Sequence, residues 1–382
     1  MFGGIGKAED SEVVSLQNLV HSRSAQAQQQ LLAMASPERV RLLFHLARMA
    51  RSEGHGKRAW VLAQAGLKMA ERLADERLRA DSLFETALLY QQGKLPLAAR
   101  SWQDAFNLYE RLQARREMAN CLGNIGQCYQ VMGRSRLALA HFQRALVLDR
   151  EIGRQQGEAE DLLNIGMAYH NQGDFRQAAE YYQQALDIYR AIGHRRGEAE
   201  ALELRGQSCR YLGELQKALE CHNEALSICQ ELHDGQGVAA ALNHIGIVYQ
   251  FTGEYRKALE CHESALKNHR RIGCWEGEAH SLGNLGNVYT ALGDYAKALD
   301  CYHQALAIHH EVGDRQAEGT GWGNMAAIYV YQGDLPQALE CLEKALMIHR
   351  QLGFRQGVVD DLGKLGIGAL AHRKHGQSSE VF

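Results

Sequence analysis

The sequence repeats itself every 40 residues, without insertion or deletion, from about residue 81 to residue 360. Gly93, Gly133, Gly173, Gly213, Gly253, Gly293 and Gly333 form one column. Five positions later stand Ala98, Ala138, Ala178, Ala218, Ala258, Ala298 and Ala338, and seven beyond those Ala105, Ala145, Ala185, Ala225, Ala265, Ala305 and Ala345. Seven repeats are explicit, and residues 41–80 read as a degenerate eighth whose Gly54, Ala59 and Gly66 fall 39 residues before Gly93, Ala98 and Ala105. A unit of this length cannot bury its apolar face alone, so neighbours must stack into a quasi-one-dimensional array.

Capping chemistry divides the period into two helices. Gly-Asp occurs at Gly293-Asp294, Gly313-Asp314 and Gly333-Asp334. Glycine accepts the left-handed conformation that ends a helix, and aspartate then caps the next N-terminus. The segments between, Tyr295 to Val312 and Arg315 to Gln332, are each 18 residues, about 27 Å of helix at 1.5 Å per residue. With only 3 prolines in 382 residues, little interrupts such helices. Ala298, Tyr302, Ala305 and His309 are spaced by four, three and four, and Leu299, Leu306 and Ile308 widen them into an apolar stripe. Gly126, Gly166, Gly206, Gly246, Gly286 and Gly366 sit midway along the first helices, where each costs about 1 kcal/mol of helix stability that close packing must offset.

The order Leu285-Gly286, Tyr289, Gly293, Tyr295, Ala298, Tyr302, Ala305 resembles the tetratricopeptide repeat (TPR) signature, and the resemblance covers about 320 of the 382 residues. The 40-residue length departs from the usual 34, and Gly-Asp replaces the usual proline at the repeat end. In its repeat length the chain is similar to the longer-helix variety of Pins/LGN-type polarity adaptors, kinesin light chains and bacterial peptide-sensing regulators. The resemblance implies an all-α, right-handed superhelical solenoid of antiparallel helix pairs. Residues 1–40 would supply an N-terminal capping helix and a frayed start, with Val13, Val14, Leu16, Leu19 and Val20 on one side of the helix. Residues 41–360 would form about eight repeats, and 361–382 a C-terminal capping helix and tail.

The resemblance further implies a concave groove lined by first helices that binds extended or helical peptides. The family's groove positions fall on Asn124, Asn164, Leu204, His244, Asn284 and Asn324 in one column. A turn later come Gln127, Met167, Gln207, Ile247, Asn287 and Ala327, followed by Gln130, His170, Arg210, Gln250, Thr290 and Val330. The expected peptide-binding residues are Asn124, Gln127, Gln130, Asn164, His170, Gln207, Arg210, His244, Gln250, Asn284, Asn287 and Asn324. Asparagine carries both a donor and an acceptor, as a peptide backbone requires. Equally, the asparagine column can hydrogen-bond neighbouring helices and hold the repeats in register. Tyr211, Phe251 and Tyr331 fit apolar pockets or inter-repeat packing alike. Arg210 is the one cation in these columns, which disfavours a clamp for a C-terminal carboxylate of the kind chaperone-binding TPR domains use.

Other chemistry is disfavoured. Cys221, Cys261, Cys301 and Cys341 share a column with His222, His262 and His303 beside them, but equivalent residues of stacked repeats lie roughly 8–10 Å apart or more, too far for a disulfide. These cysteines read as small buried hydrophobes, and no metal or cofactor is expected. The acidic residues Glu158, Glu160, Asp161, Glu198 and Glu200 read as first-turn compensation of the helix dipole. No nucleophile elbow, P-loop or dinucleotide fingerprint occurs, so the chain is expected not to be an enzyme. A net charge of −3 argues against nucleic-acid binding, and nine cysteines without a dense spacing pattern fit a reducing, cytoplasmic setting. No membrane span or signal peptide is read, so no membrane partner is expected. The expected role is a protein- or peptide-binding adaptor or scaffold. A regulatory receptor for a small signalling peptide and a self-assembling structural protein remain alternatives, and self-association stays open.

The array reading has a direct test. Ala258→Arg should force a charged side chain into a contact sized for a methyl group, with overpacking of about 1–3 kcal/mol added to the cost of removing the charge from water. Hydrogen exchange should then accelerate most in residues 201–320 and much less in 81–160. Uniform acceleration along the chain would contradict a solenoid.

Overall fold

A computed structural model describes residues 20, 25–91 and 93–363. Its helix ends follow the capping chemistry. Gly293 and Gly313 adopt φ of 78° and 80°, and Asp294 and Asp314 accept hydrogen bonds from the backbone N–H groups of Lys297 and Ala317. The helices between run Tyr295–Val312 and Arg315–Gln332, the bounds the Gly-Asp turns predict. Where the turn column lacks glycine, Ala74, Gln113 and His233 take the same left-handed conformation at φ of 53° to 55°.

The chain forms two compact units, Met1–Gly193 and His194–Phe382. The first contains α1 (Ala25–Ala33), α2 (Pro37–Ser52), α3 (Gly56–Arg72), α4 (Glu76–Tyr90), α5 (Leu95–Arg111), α6 (Arg115–Val131), α7 (Ser135–Glu151), α8 (Gln155–Asn171) and α9 (Phe175–Ile192). The second contains α10 (Arg195–Tyr211), α11 (Leu215–Glu231), α12 (Gly235–Thr252), α13 (Tyr255–Ile272), α14 (Trp275–Leu292), α15 (Tyr295–Val312), α16 (Arg315–Gln332) and α17 (Leu335–Leu352), and residues 355–363 are helical. No strand occurs among the described residues. In each unit consecutive helices fold back on one another as pairs, from α2–α3 to α8–α9 and from α10–α11 to α16–α17. First helices of adjacent pairs also touch, as in α6 with α8 and α12 with α14. Each unit is thus a TPR-like stack of helix pairs.

The mid-helix glycines are explained by rings from the second helix of the same pair. A Cβ on Gly126 would stand 2.5 Å from Phe142, on Gly166 2.5 Å from Tyr182, and on Gly286 2.7 Å from Tyr302. On Gly206 and Gly246 it would meet His222 and His262, both at 2.6 Å. The two alanine columns are buried throughout, from Ala98 and Ala105 to Ala338 and Ala345. In the degenerate first pair, Ser36 caps α2 ahead of Pro37, and Phe44 lies against Gly66. Val13, Val14, Leu16 and Leu19 of the expected capping helix lie outside the described residues, as do residues 364–382 of the expected C-terminal cap. Leu31 of α1 is buried, and Val20 packs against the same apolar cluster as α2 and α3.

The acidic residues differ from the first-turn expectation. Glu158 and Glu198 occupy the first turns of α8 and α10, whereas Glu160, Asp161 and Glu200 lie further along. Asp161 is buried, and desolvation first, then the charge of Asp149, pushes its carboxyl up to about 8. Asp149 itself is held by Arg154, 2.6 Å away.

Two glycine substitutions test the packing. Gly166→Ala should destabilise, because overpacking of about 1–3 kcal/mol against the buried Tyr182 ring outweighs a helix-propensity gain of about 1 kcal/mol. Gly283→Ala, with nothing within 4 Å of its Cβ position, should stabilise by about 0.5–1 kcal/mol. Urea unfolding of both variants checks the opposite signs.

Candidate functional site

The first helices of the second unit place the expected side chains on a shared surface. A cavity of about 750 Å³ opens across α12, α14 and α16. His244 from α12, Asn284 and Asn287 from α14, and Asn324 from α16 line it. Asn284 and Asn287 are three residues apart and so sit on one helix face. Asn287 Oδ1 accepts a hydrogen bond of 2.6 Å from the Tyr302 hydroxyl, which comes from α15. His269 and His309, near the ends of α13 and α15, form part of the same wall, and burial pushes both imidazoles below their ordinary value. Neutral imidazole offers one donor and one acceptor, matching the amides around it. No lysine or arginine is among the described residues that line the cavity.

The other expected residues fall elsewhere. Gln207 and Arg210 lie on α10, where the Arg210 guanidinium covers the exposed rings of Tyr211 and Phe251 at 4.2 and 5.4 Å. Tyr331 is also exposed and stacks on Tyr295. In the first unit, Asn124 donates to the Asn120 carbonyl of its own helix at 2.8 Å and Gln127 is exposed. Gln130 is half-buried with its Oε1 unpartnered, Asn164 is buried, and the His170 ring meets Phe175 edge-on at 5.0 Å.

Gln250 is engaged in a network that the columns did not single out. Its Nε2 donates to His262 Nε2 at 3.0 Å and to the Asn284 carbonyl at 3.3 Å. With Nε2 of His262 accepting, Nδ1 carries the proton and donates to Asn243 Oδ1 at 2.9 Å. Asn243 in turn donates to Ser281 Oγ at 2.9 Å, and Ser281 donates to the Gly277 carbonyl. The network ties α12, α13 and α14 together with its polar atoms paired, the condition under which buried polar groups hold one register. In this network the asparagine side chain that bonds across helices is Asn243, one residue before the expected column. The free thiols Cys221, Cys301 and Cys341 are buried, and Cys261 is half-buried.

Comparisons with known proteins speak to the fold. The sequence model of the family described as tetratricopeptide repeat matches residues 117–191, 197–271 and 277–351. No curated protein matches the chain. Among solved structures, BtubC (BKLC) from P. vanneervenii is similar with a TM-score of 0.51 and 23% identity, over 58% of this chain and 92% of that one. Aspartyl phosphate phosphatase F from Bacillus subtilis aligns with a TM-score of 0.60 and 15% identity, over 71% of this chain and 70% of that one. A Rap protein complexed with competence and sporulation factor aligns with a TM-score of 0.55 and 16% identity, over 88% and 99%.

The buried His262 predicts a pH dependence. Burial holds its pKa down to about 4, against 6.5 in an ordinary setting. The unfolded chain therefore takes up a proton that the folded chain refuses, and stability should decline as pH falls from about 6.5 towards 4. His262→Tyr, which puts at this position the residue found at Tyr182 and Tyr302, should flatten that decline in thermal melts across this range. An unchanged slope would contradict the assignment.

Proposed function

The chain belongs to the tetratricopeptide repeat family, whose sequence model spans more than half of it, and from that premise we propose a non-catalytic adaptor or scaffold that holds an extended peptide segment of a partner protein. The reading is carried by the convergence of His244, Asn284, Asn287 and Asn324 on one cavity across three first helices. With first helices roughly 8–10 Å apart, the two spacings across α12, α14 and α16 would span about five extended residues at 3.3–3.6 Å each. Paired amide donors and acceptors suit a peptide backbone, and a lining that holds the carboxyl groups of Glu276 and Asp314 and, among the described residues, no lysine or arginine disfavours an anionic tail. No helix among the described residues is long and apolar enough to cross a membrane.

A second reading, a receptor for a small signalling peptide, draws support from the fold shared with the Rap protein solved with competence and sporulation factor. Both readings place the ligand in the groove of α12, α14 and α16.

The test is selection of a displayed peptide library on the wild-type chain, followed by affinity measurements on variants. Asn284→Ala combined with Asn324→Ala should weaken the selected peptides at least about tenfold, the equivalent of about 1.4 kcal/mol, while thermal unfolding stays nearly unchanged. Asn164→Ala, at a buried position, should leave affinity unchanged and cost about 1–3 kcal/mol of stability. If the double variant instead bound normally or lost cooperative unfolding, the groove assignment would fail.

A further inference from the structure

Two neighbouring helix pairs of the second unit are built from the same positions but completed differently. Glu203 on α10 corresponds to Asn243 on α12, and His222 on α11 to His262 on α13, each 40 residues apart. Gly206 and Gly246 admit the two rings in the same way. In the later pair both nitrogens of His262 and both side-chain atoms of Asn243 have hydrogen-bond partners. In the earlier pair Arg210 stands where Gln250 would be, turned over Tyr211 and Phe251, and both His222 ring nitrogens and Glu203 Oε1 are buried without hydrogen-bond partners.

The third group comes from the next first helix. His244 Nδ1 is hydrogen-bonded to Glu203 Oε2, and His222 Nδ1 lies 3.2 Å from the same oxygen. One ligand atom from each of Glu203, His222 and His244 falls within 4.8 Å of the others. Among the described residues, these two histidines are the ion-pair partners of Glu203, and no lysine or arginine bridges to it. A largely desolvated carboxylate whose only ionic partners are imidazoles, with one oxygen unpartnered, is costly.

We propose that Glu203, His222 and His244 form a binding site for a divalent transition-metal ion of the zinc class. Zinc binds nitrogen and oxygen at about 2.0–2.2 Å in a tetrahedron, which separates its ligand atoms by roughly 3.3 Å. His222 and Glu203 already stand at that separation, and the partly exposed His244 ring would give up its hydrogen bond to Glu203 to take its place on the ion. The ion neutralises the Glu203 charge and takes up an imidazole, that of His222, whose ring nitrogens otherwise have no hydrogen-bond partner. His222 is fully buried, whereas His244 is partly exposed and lines the groove, so the ion enters from that side. Two imidazoles and one carboxylate leave a fourth position for water or for a ligand in the groove.

Cobalt(II) is the probe. The full chain, stripped with chelator under a thiol reductant, is titrated with Co²⁺ and then with Zn²⁺. One equivalent of Co²⁺ should bind with visible d–d bands, lack the near-ultraviolet charge-transfer band of sulfur ligation, and be displaced by Zn²⁺. Glu203→Gln and His244→Ala should each weaken binding by more than the roughly 10- to 100-fold that losing a residue behind the ligands costs. His303→Ala, at an exposed position, should bind like the wild type. His244→Ala decides the matter if Glu203→Gln does not fold, because His244 is partly exposed. Absence of a tight equivalent, a sulfur band, or wild-type affinity in His244→Ala would overturn the proposal. The outcome is independent of peptide binding, since no peptide is present.

Discussion

The contact on which the rest depends is a ring laid on a glycine. In each of five successive pairs an aromatic or imidazole side chain of the second helix occupies the space a Cβ would take on the first, from Phe142 over Gly126 to Tyr302 over Gly286. Glycine inside a helix is a local loss. The loss is recovered because the two backbones approach closely enough to bury both alanine columns. That approach sets the angle of each first helix, and so decides which of its side chains face the groove and which face the neighbouring pair.

The ring position also governs the polarity of the interior. Phenylalanine and tyrosine there need at most one hydrogen-bond partner, but histidine brings two nitrogens into a dry space. His262 is accommodated as a neutral ring between an amide oxygen and an amide donor. His222 meets a carboxylate instead. Two exchanges, glutamate in place of asparagine at the facing position and Arg210 in place of Gln250, separate the ionic cluster with atoms to spare from the closed hydrogen-bond chain.

Much of this architecture was legible in the sequence. The Gly-Asp turns predicted α15 and α16 to the residue, because the left-handed glycine and the capping aspartate are local requirements that no tertiary contact overrides. Column arithmetic put His244, Asn284, Asn287 and Asn324 among the expected groove positions, and these four line one cavity. It did not find Asn243 and Glu203, because the pattern assigned their column no role in groove or core. Comparing residues 40 positions apart finds equivalents, whereas Glu203, His222 and His244 are inequivalent residues from three helices. Asp161 was misread for a similar reason. Its proximity to Asp149 depends on how α7 meets α8, which no composition of the first turn reveals.

The uniform turn carries a consequence for the history of such a chain. Every join between helices α15, α16 and α17 has the same glycine and aspartate chemistry, so a 40-residue block can be duplicated or excised by recombination and leave both ends properly terminated. The interfaces are less forgiving than the joins. Here the block carrying Glu203 and His222 is followed by one that presents His244 to the carboxylate, and the block carrying Asn243 and His262 by one that presents Ser281 to the amide. Blocks of equal length are therefore not interchangeable, and the buried polar side chains act as keys that fix the order in which the copies can follow one another.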